Sequence, residues 1–168
     1  MPPGGWQQPV AQTHAWAGAP LSGWWRRVGA QVIDGLILTI PALVLGGLVG
    51  GAFAISNGLG IAAIVVAVIL YIAIFIAYAP LLMKREGEHN GQSWGKQALD
   101  IRVARDTGEQ VEFGWAVLRQ FVVIYLLFNV VGGLFASIPT LLNYLWPLWD
   151  DSNRALHDMI VKSHVLKT

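Results

Sequence analysis

The sequence contains no cysteine, which removes disulfides, a thiolate nucleophile and Cys-ligated zinc or iron–sulfur centres from consideration. Charge is scarce too. Asp, Glu, Lys and Arg make up 12% of the residues, about half the share of an ordinary soluble domain. The scarcity is uneven: no charged residue occurs from Gly35 to Met83, and Phe113 to Trp149 holds one, Arg119. A net charge of +1 leaves no basic footprint for nucleic acid. What remains is apolar mass in runs, the pattern of a chain that crosses a bilayer several times.

The few intramembrane charges therefore carry the argument. Trp24 to Gly35 reads WWRRVGAQVIDG, with aromatic residues and arginines suited to the membrane boundary and one aspartate carried inward. A charge at bilayer depth costs ~2.5–3.5 kcal/mol on insertion scales. Arg27 can snorkel back to the interface, whereas the short Asp34 side chain cannot. Counted inward from the boundary, Asp34 lies ~10 Å deep and Arg119 ~9 Å deep at 1.5 Å per residue. Matching depth and opposite charge lead to the expectation that Asp34 and Arg119 pair inside the bundle. Such a pair either fixes helix register or leaves a carboxylate poised to carry a proton or bind a cation.

The expected fold is an all-α membrane protein. It is a bundle of about four transmembrane helices, the last short or re-entrant, with a small cytoplasmic β-hairpin cap. Residues 1–22 read as a disordered Pro/Gly/Gln-rich cytoplasmic arm without the charged and apolar regions of a secretory signal. Trp6 and Trp16 are either contact points in it or scattered aromatics. Residues 23–168 form the membrane domain, with helices at about 24–50, 59–83, 113–131 and 134–149, a loop at 84–112 and a tail at 150–168. The stretch from Phe113 to Trp149 has 37 residues, too many for one upright span of about 20. Gly132-Gly133 is the expected turn within it.

Ile101 and Val103 alternate with polar residues, as do Val111 and Phe113, around Asp106-Thr107-Gly108, which predicts a hairpin. Gly91 to Lys96 has the wrong spacing for a phosphate loop. The tail predicts a short helix from Ser152 to about Ile160 and then a strand-like ending. Both termini are placed in the cytoplasm, because four passages put all eleven Lys and Arg on or near that side. Lys96 and Arg27 are then the expected partners of Asp158 in a joint cap of loop and tail.

At these residues the chain resembles the RDD family of small bacterial membrane proteins. That family has an arginine opening the first helix, matched by Arg27, and an aspartate inside it, matched by Asp34. Its second aspartate matches Asp158 in RALHDMIVKSHVL, with Asp150 and Asp151 as competing positions. The family's glycine-and-lysine loop is similar to GQSWGKQALDIRV, at Gly91, Gly95 and Lys96. The resemblance implies a bacterial inner-membrane location and a loosely defined role, transport or cation–proton exchange.

The function expected is movement of an ion or small solute with Asp34 as the key carboxylate. The alternative is a non-catalytic accessory or assembly subunit. Four short passages make a thin pathway, so the expected partners are the lipid bilayer and either further copies of the chain or a larger membrane complex. No cofactor and no metal are expected. His157 beside Asp158 is the sole candidate acid–base pair, and no nucleophile accompanies it, so the expectation is not an enzyme. His14, His89 and His164 are expected at the surface.

Overall fold

The computed structural model describes residues 18–168; most of the expected arm, with Trp6, His14 and Trp16, lies outside the described residues. Helix α1 is Trp24–Ile55 and helix α2 is Asn57–Met83. With apolar side chains and no water, a helix that closes its own backbone hydrogen bonds is the favoured conformation. Accordingly α1 runs past the expected end at residue 50, through Pro41 and the glycines, to Ile55. Ser56 alone separates the two helices. Its hydroxyl accepts from the Leu59 N–H at 3.2 Å and so caps one of the unpaired donors that open α2.

The third span is Phe113–Leu134. Its middle, Leu118–Val131, is π-helical, a form in which each N–H reaches five residues back. Asn129 follows the same spacing, donating from Nδ2 to the Ile124 carbonyl at 3.1 Å. The expected turn at Gly132-Gly133 falls a few residues later. Reversal occurs beyond Leu134, where Ala136 and Ser137 hold positive φ angles of 52° and 60°. The return helix, Ile138–Leu145, has 8 residues, or ~12 Å of rise, too short to span alone. The Thr140 hydroxyl ties it back to the Phe128 carbonyl. Among the described residues, three helices are thus long and apolar enough to cross a membrane, and much of their apolar surface, Leu43 and Ile69 included, faces outward.

The polar segments gather at one end. Helix α3 is Trp94–Ala98, β1 is Ile101–Arg105, a tail helix covers Leu156–Ile160, and β2 is Ser163–Lys167. The expected hairpin within the loop is absent. β1 pairs antiparallel with β2, Val103 opposite Val165, and its other edge meets Gly91, whose carbonyl accepts from Val103 N–H at 3.0 Å. The turn at Asp106 to Gly108 does form, with Gly108 N–H donating to the Arg105 carbonyl. Val111 is drawn elsewhere, because Asn90 bonds both its N–H and its carbonyl. The tail helix also starts later than Ser152. Asp150 accepts from the N–H groups of Ser152 and Arg154, a local turn that competes with helix.

Pro20 to Ser22, assigned to the flexible arm by sequence, instead lies along β2. Ser22 N–H donates to the Val165 carbonyl and the Pro20 carbonyl accepts from Lys167 N–H. The enclosed apolar core sits beneath this sheet, built from Ala30 of α1, Ala79 and Met83 of α2, Ile101, Val103 and Val165 of the strands, and Ala116 of the third span.

Candidate functional site

Two carboxylates organise the ends of the spans, each with its own set of donors. The first is Asp34. Its Oδ1 accepts from the Tyr78 hydroxyl at 2.8 Å and from Gly95 N–H at 2.7 Å, and its Oδ2 accepts from the Ser93 hydroxyl at 2.5 Å. Lys96 Nζ stands 3.9 Å from Oδ2. One aspartate of α1 thereby holds α2 and the first turn of α3. Ser93 serves twice, since it also accepts from Lys96 N–H at 3.4 Å as the α3 cap.

The approach is close enough to dictate glycine. A Cβ on Gly95 would collide with the Ala30 carbonyl oxygen and lie 2.8 Å from Asp34 Oδ1. Gly91, with φ of +79°, would push a Cβ into the Val103 carbonyl. Both loop glycines singled out in the sequence therefore sit where backbone meets backbone. Burial pulls the Lys96 ammonium down to about 8, and the charge of Asp34 offsets part of that fall.

The second hub is Asp158, fully enclosed. Its Oδ2 accepts from Arg27 Nη1 at 2.7 Å and its Oδ1 from Arg119 Nη2 at 2.6 Å. Ala155 N–H and the Ser163 hydroxyl complete the shell at 3.3 and 3.2 Å. Burial alone would raise the Asp158 carboxyl, but the charges of Arg119 and Arg27 hold it well below the usual carboxylate range. Asp150, by contrast, pairs with Arg154 at 3.4 Å and reaches Arg27 only through its charge.

His157 completes this hub as a neutral ring. Its own backbone N–H donates to an Asn143 side-chain atom at 2.9 Å, which must be the oxygen. That same oxygen lies 2.8 Å from His157 Nδ1, so Nδ1 carries the proton. Nε2 is left to accept from Arg119 Nη2 at 3.0 Å. Burial lowers the imidazole below its ordinary value, against the pull of Asp158.

The pairing expected between Asp34 and Arg119 is not made, because the tail inserts Asp158 beneath Arg119 and α3 reaches Asp34 first. Lys96 likewise goes to Asp34 rather than Asp158, whereas Arg27 does meet Asp158. His164, expected at the surface, is 1% exposed and lies 2.6 Å from Asp106. Tyr78, Ser93, Asn143 and Ser163 were missed. Only Asn143 gave a sequence signal, as the lone amide between Leu134 and Trp149.

A cavity of about 490 Å³ opens between α1, α2, the third span and the return helix. Its polar end is bounded by Arg27, Asp34, Lys96, Arg119 and His157, and its apolar end by Leu38, Phe75 and Ile124.

Apolar spans, a compact polar end and two buried carboxylate hubs define a helical membrane protein. The sequence profile of the RDD family matches residues 21–162, most of the chain, and the protein belongs to that family. No curated protein and no solved structure matches it.

Proposed function

We propose that the protein passes a small solute across a bacterial inner membrane through the cavity that reaches Asp34. Four passages carry it, the return helix being the incomplete fourth, and both termini face the cytoplasm. The observation that carries this reading is the position of Asp34. Its side chain is not sealed by an arginine. It borders the cavity at 15% exposure while it ties α3 to α1. Asp34 is therefore the latch of one cavity wall, and losing its charge would loosen Ser93, Gly95 and Lys96 together. A catalytic role is disfavoured, since both ring nitrogens of His157 are already committed.

The cysteine-free chain makes the test direct. Leu38→Cys places one thiol in the cavity wall of the reconstituted protein. Transport requires a membrane-impermeant thiol reagent to reach it from each face in turn, at a rate that changes in Asp34→Asn. Labelling from neither face, or from one face at a rate indifferent to Asp34, would sink the reading.

A second reading, a subunit that packs on further copies or on larger membrane machinery, is favoured by one observation. Gly46, Gly47, Gly50 and Gly51 have no neighbouring atom within 4 Å of where a Cβ would stand, and such small residues suit close helix approach. Intact-mass measurement in mild detergent tests it, since a solitary chain is incompatible with the accessory role.

A further inference from the structure

The arginines of the second hub are not fully used. Arg27 gives Nη1 to Asp158, yet its Nε and Nη2 are buried without a hydrogen-bond partner. Arg119 gives Nη1 to Gln120 at 2.7 Å and Nη2 to Asp158 and His157, yet its Nε is also unpartnered. Arg119 is 3% exposed, so solvent at large does not serve it. A buried donor left unmet is costly, the more so when it is charged.

Three such N–H groups lie on two residues that both border the cavity, so an acceptor that enters it and draws these side chains round would meet donors that nothing else in the fold satisfies. Nε and Nη2 of one guanidinium form a parallel fork, the arrangement that takes a carboxylate or phosphate through two oxygens. Charge agrees in sign. Arg27, Arg119 and Lys96 face Asp34 and Asp158, with His157 neutral, so one positive charge is left uncompensated. The rest of the cavity is apolar, and its volume of about 490 Å³ lies within the ~300–1,000 Å³ of small-ligand clefts.

We propose that the cavity binds an amphiphilic oxyanion, a carboxylate or phosphodiester whose head sits on the free Nε and Nη2 of Arg27 and the Nε of Arg119. Its apolar body lies along Leu38, Phe75 and Ile124. The proposal rests on the cavity being a solute site, and names the class of solute; it does not require passage across the membrane. The same head chemistry is supplied by a free carboxylate or by the phosphate of an anionic lipid.

The test is equilibrium binding of 4-phenylbutyrate to the full chain in phosphatidylcholine nanodiscs. Acetate serves as the head alone and 4-phenylbutylamine as the cationic analogue. The expected result is saturable 4-phenylbutyrate binding, about tenfold or more tighter than either control, because the fork and the apolar wall act together. Arg27→Lys keeps a cation for Asp158 but removes the fork, and should weaken binding about tenfold or more. Ile124→Trp fills the apolar end without touching an ion pair and should weaken it as much, which keeps the test decisive if Arg27→Lys fails to fold.

Repeating the titration in discs containing phosphatidylglycerol separates the sources. A large loss of 4-phenylbutyrate affinity identifies a lipid phosphate as the competing head, and unchanged affinity identifies a free solute. No binding, equal binding of the amine, or binding that survives Ile124→Trp would overturn the proposal. Binding without alternating access at Leu38→Cys would leave the oxyanion site standing and remove transport.

Discussion

Arg119 and Asp158 meet at 2.6 Å although 39 positions separate them in the chain. The third span thus takes its counter-ion from the carboxy-terminal tail rather than from another span. Arg27 shares the same carboxylate from α1, so one aspartate clamps two membrane helices to the tail. A charge removed from such a centre leaves its partners buried and uncompensated, typically a loss of ~3–5 kcal/mol.

Double-mutant cycles distinguish this wiring from a direct pair between spans. Asp158→Asn and Arg119→Gln should each lower thermal stability strongly, while the double variant loses clearly less than the two losses added, because they share one contact. Rescue stays incomplete, since Arg27 is then unpaired. Asp34→Asn with Arg119→Gln should couple much more weakly, since they make no direct contact and act on each other only through Lys96. Strong coupling in that second cycle would contradict the separate hubs.

Gly95→Ala tests the other hub. A methyl group there meets the Ala30 carbonyl and crowds the Asp34 carboxylate, so α3 must back away and the Gly95 N–H bond to Asp34 lengthens. Overpacking of this kind costs about 1–3 kcal/mol. The lowered thermal midpoint should come with faster proteolysis between α2 and β1, whereas Gly114→Ala, on helical backbone with open space around it, should leave that cleavage rate near wild type. Equal rates in the two variants would deny the clamp.

Much of this plan is legible in the chain. Apolar runs without charge mark α1, α2 and the third span, because in a bilayer composition alone decides what is helical. Arg27, Asp34, Arg119 and Asp158 stand out because charges there are expensive. Their pairing was legible only in part: Arg27 meets Asp158 as expected, but Arg119 and Asp34 find other partners. Depth counting along two helices treats each as an isolated rod and ignores segments that fold back. Here α3 and the tail helix both reach into the bundle and claim the charges first. The strands show the same limit, since alternation located β1 and the tail strand, but adjacency in sequence suggested the wrong partner for β1. His164 misled because histidine's surface preference is weak and an enclosed Asp106 contact has no local signature.

The neutral His157 ring predicts a pH dependence whose sign is fixed. Its folded-state pKa is lowered, while the unfolded value is ~6.5. Below that value the unfolded chain takes a proton that the folded chain refuses, so stability falls as pH drops through this window, by up to ~1.4 kcal/mol per pH unit. Above it the group contributes no slope. Asp158, held well below the carboxylate range, keeps its stabilising charge until much lower pH and adds nothing here. Thermal midpoints of wild type and His157→Gln between neutral and mildly acidic pH should therefore converge as pH falls. A constant difference would mean that folding does not shift the ring at all, and a widening one that it is charged in the folded protein.

The remaining prediction concerns topology. β1 belongs to the loop after α2, β2 is the end of the tail, and Pro20 to Ser22 precede α1, yet all three are hydrogen-bonded side by side. One sheet cannot be assembled from segments on opposite sides of a bilayer, so the number of passages between them must be even. Arg102 and Leu166 face each other in register, and opposed residues of an antiparallel pair lie ~4.5–5.5 Å apart between Cα atoms, within the range a disulfide spans. In the cysteine-free background, Arg102→Cys with Leu166→Cys should cross-link under mild oxidation, whereas Arg102→Cys with Glu112→Cys, the hairpin alternative, should not. Single thiols at Glu88→Cys and Thr168→Cys, both exposed, then give the side. Both should resist an impermeant reagent in intact cells and react together once the membrane is opened, as the positive-inside rule requires of a loop and tail rich in Lys and Arg. Both reacting in intact cells would reverse the orientation while sparing the sheet. If one reacts and the other does not, the paired strands themselves are wrong.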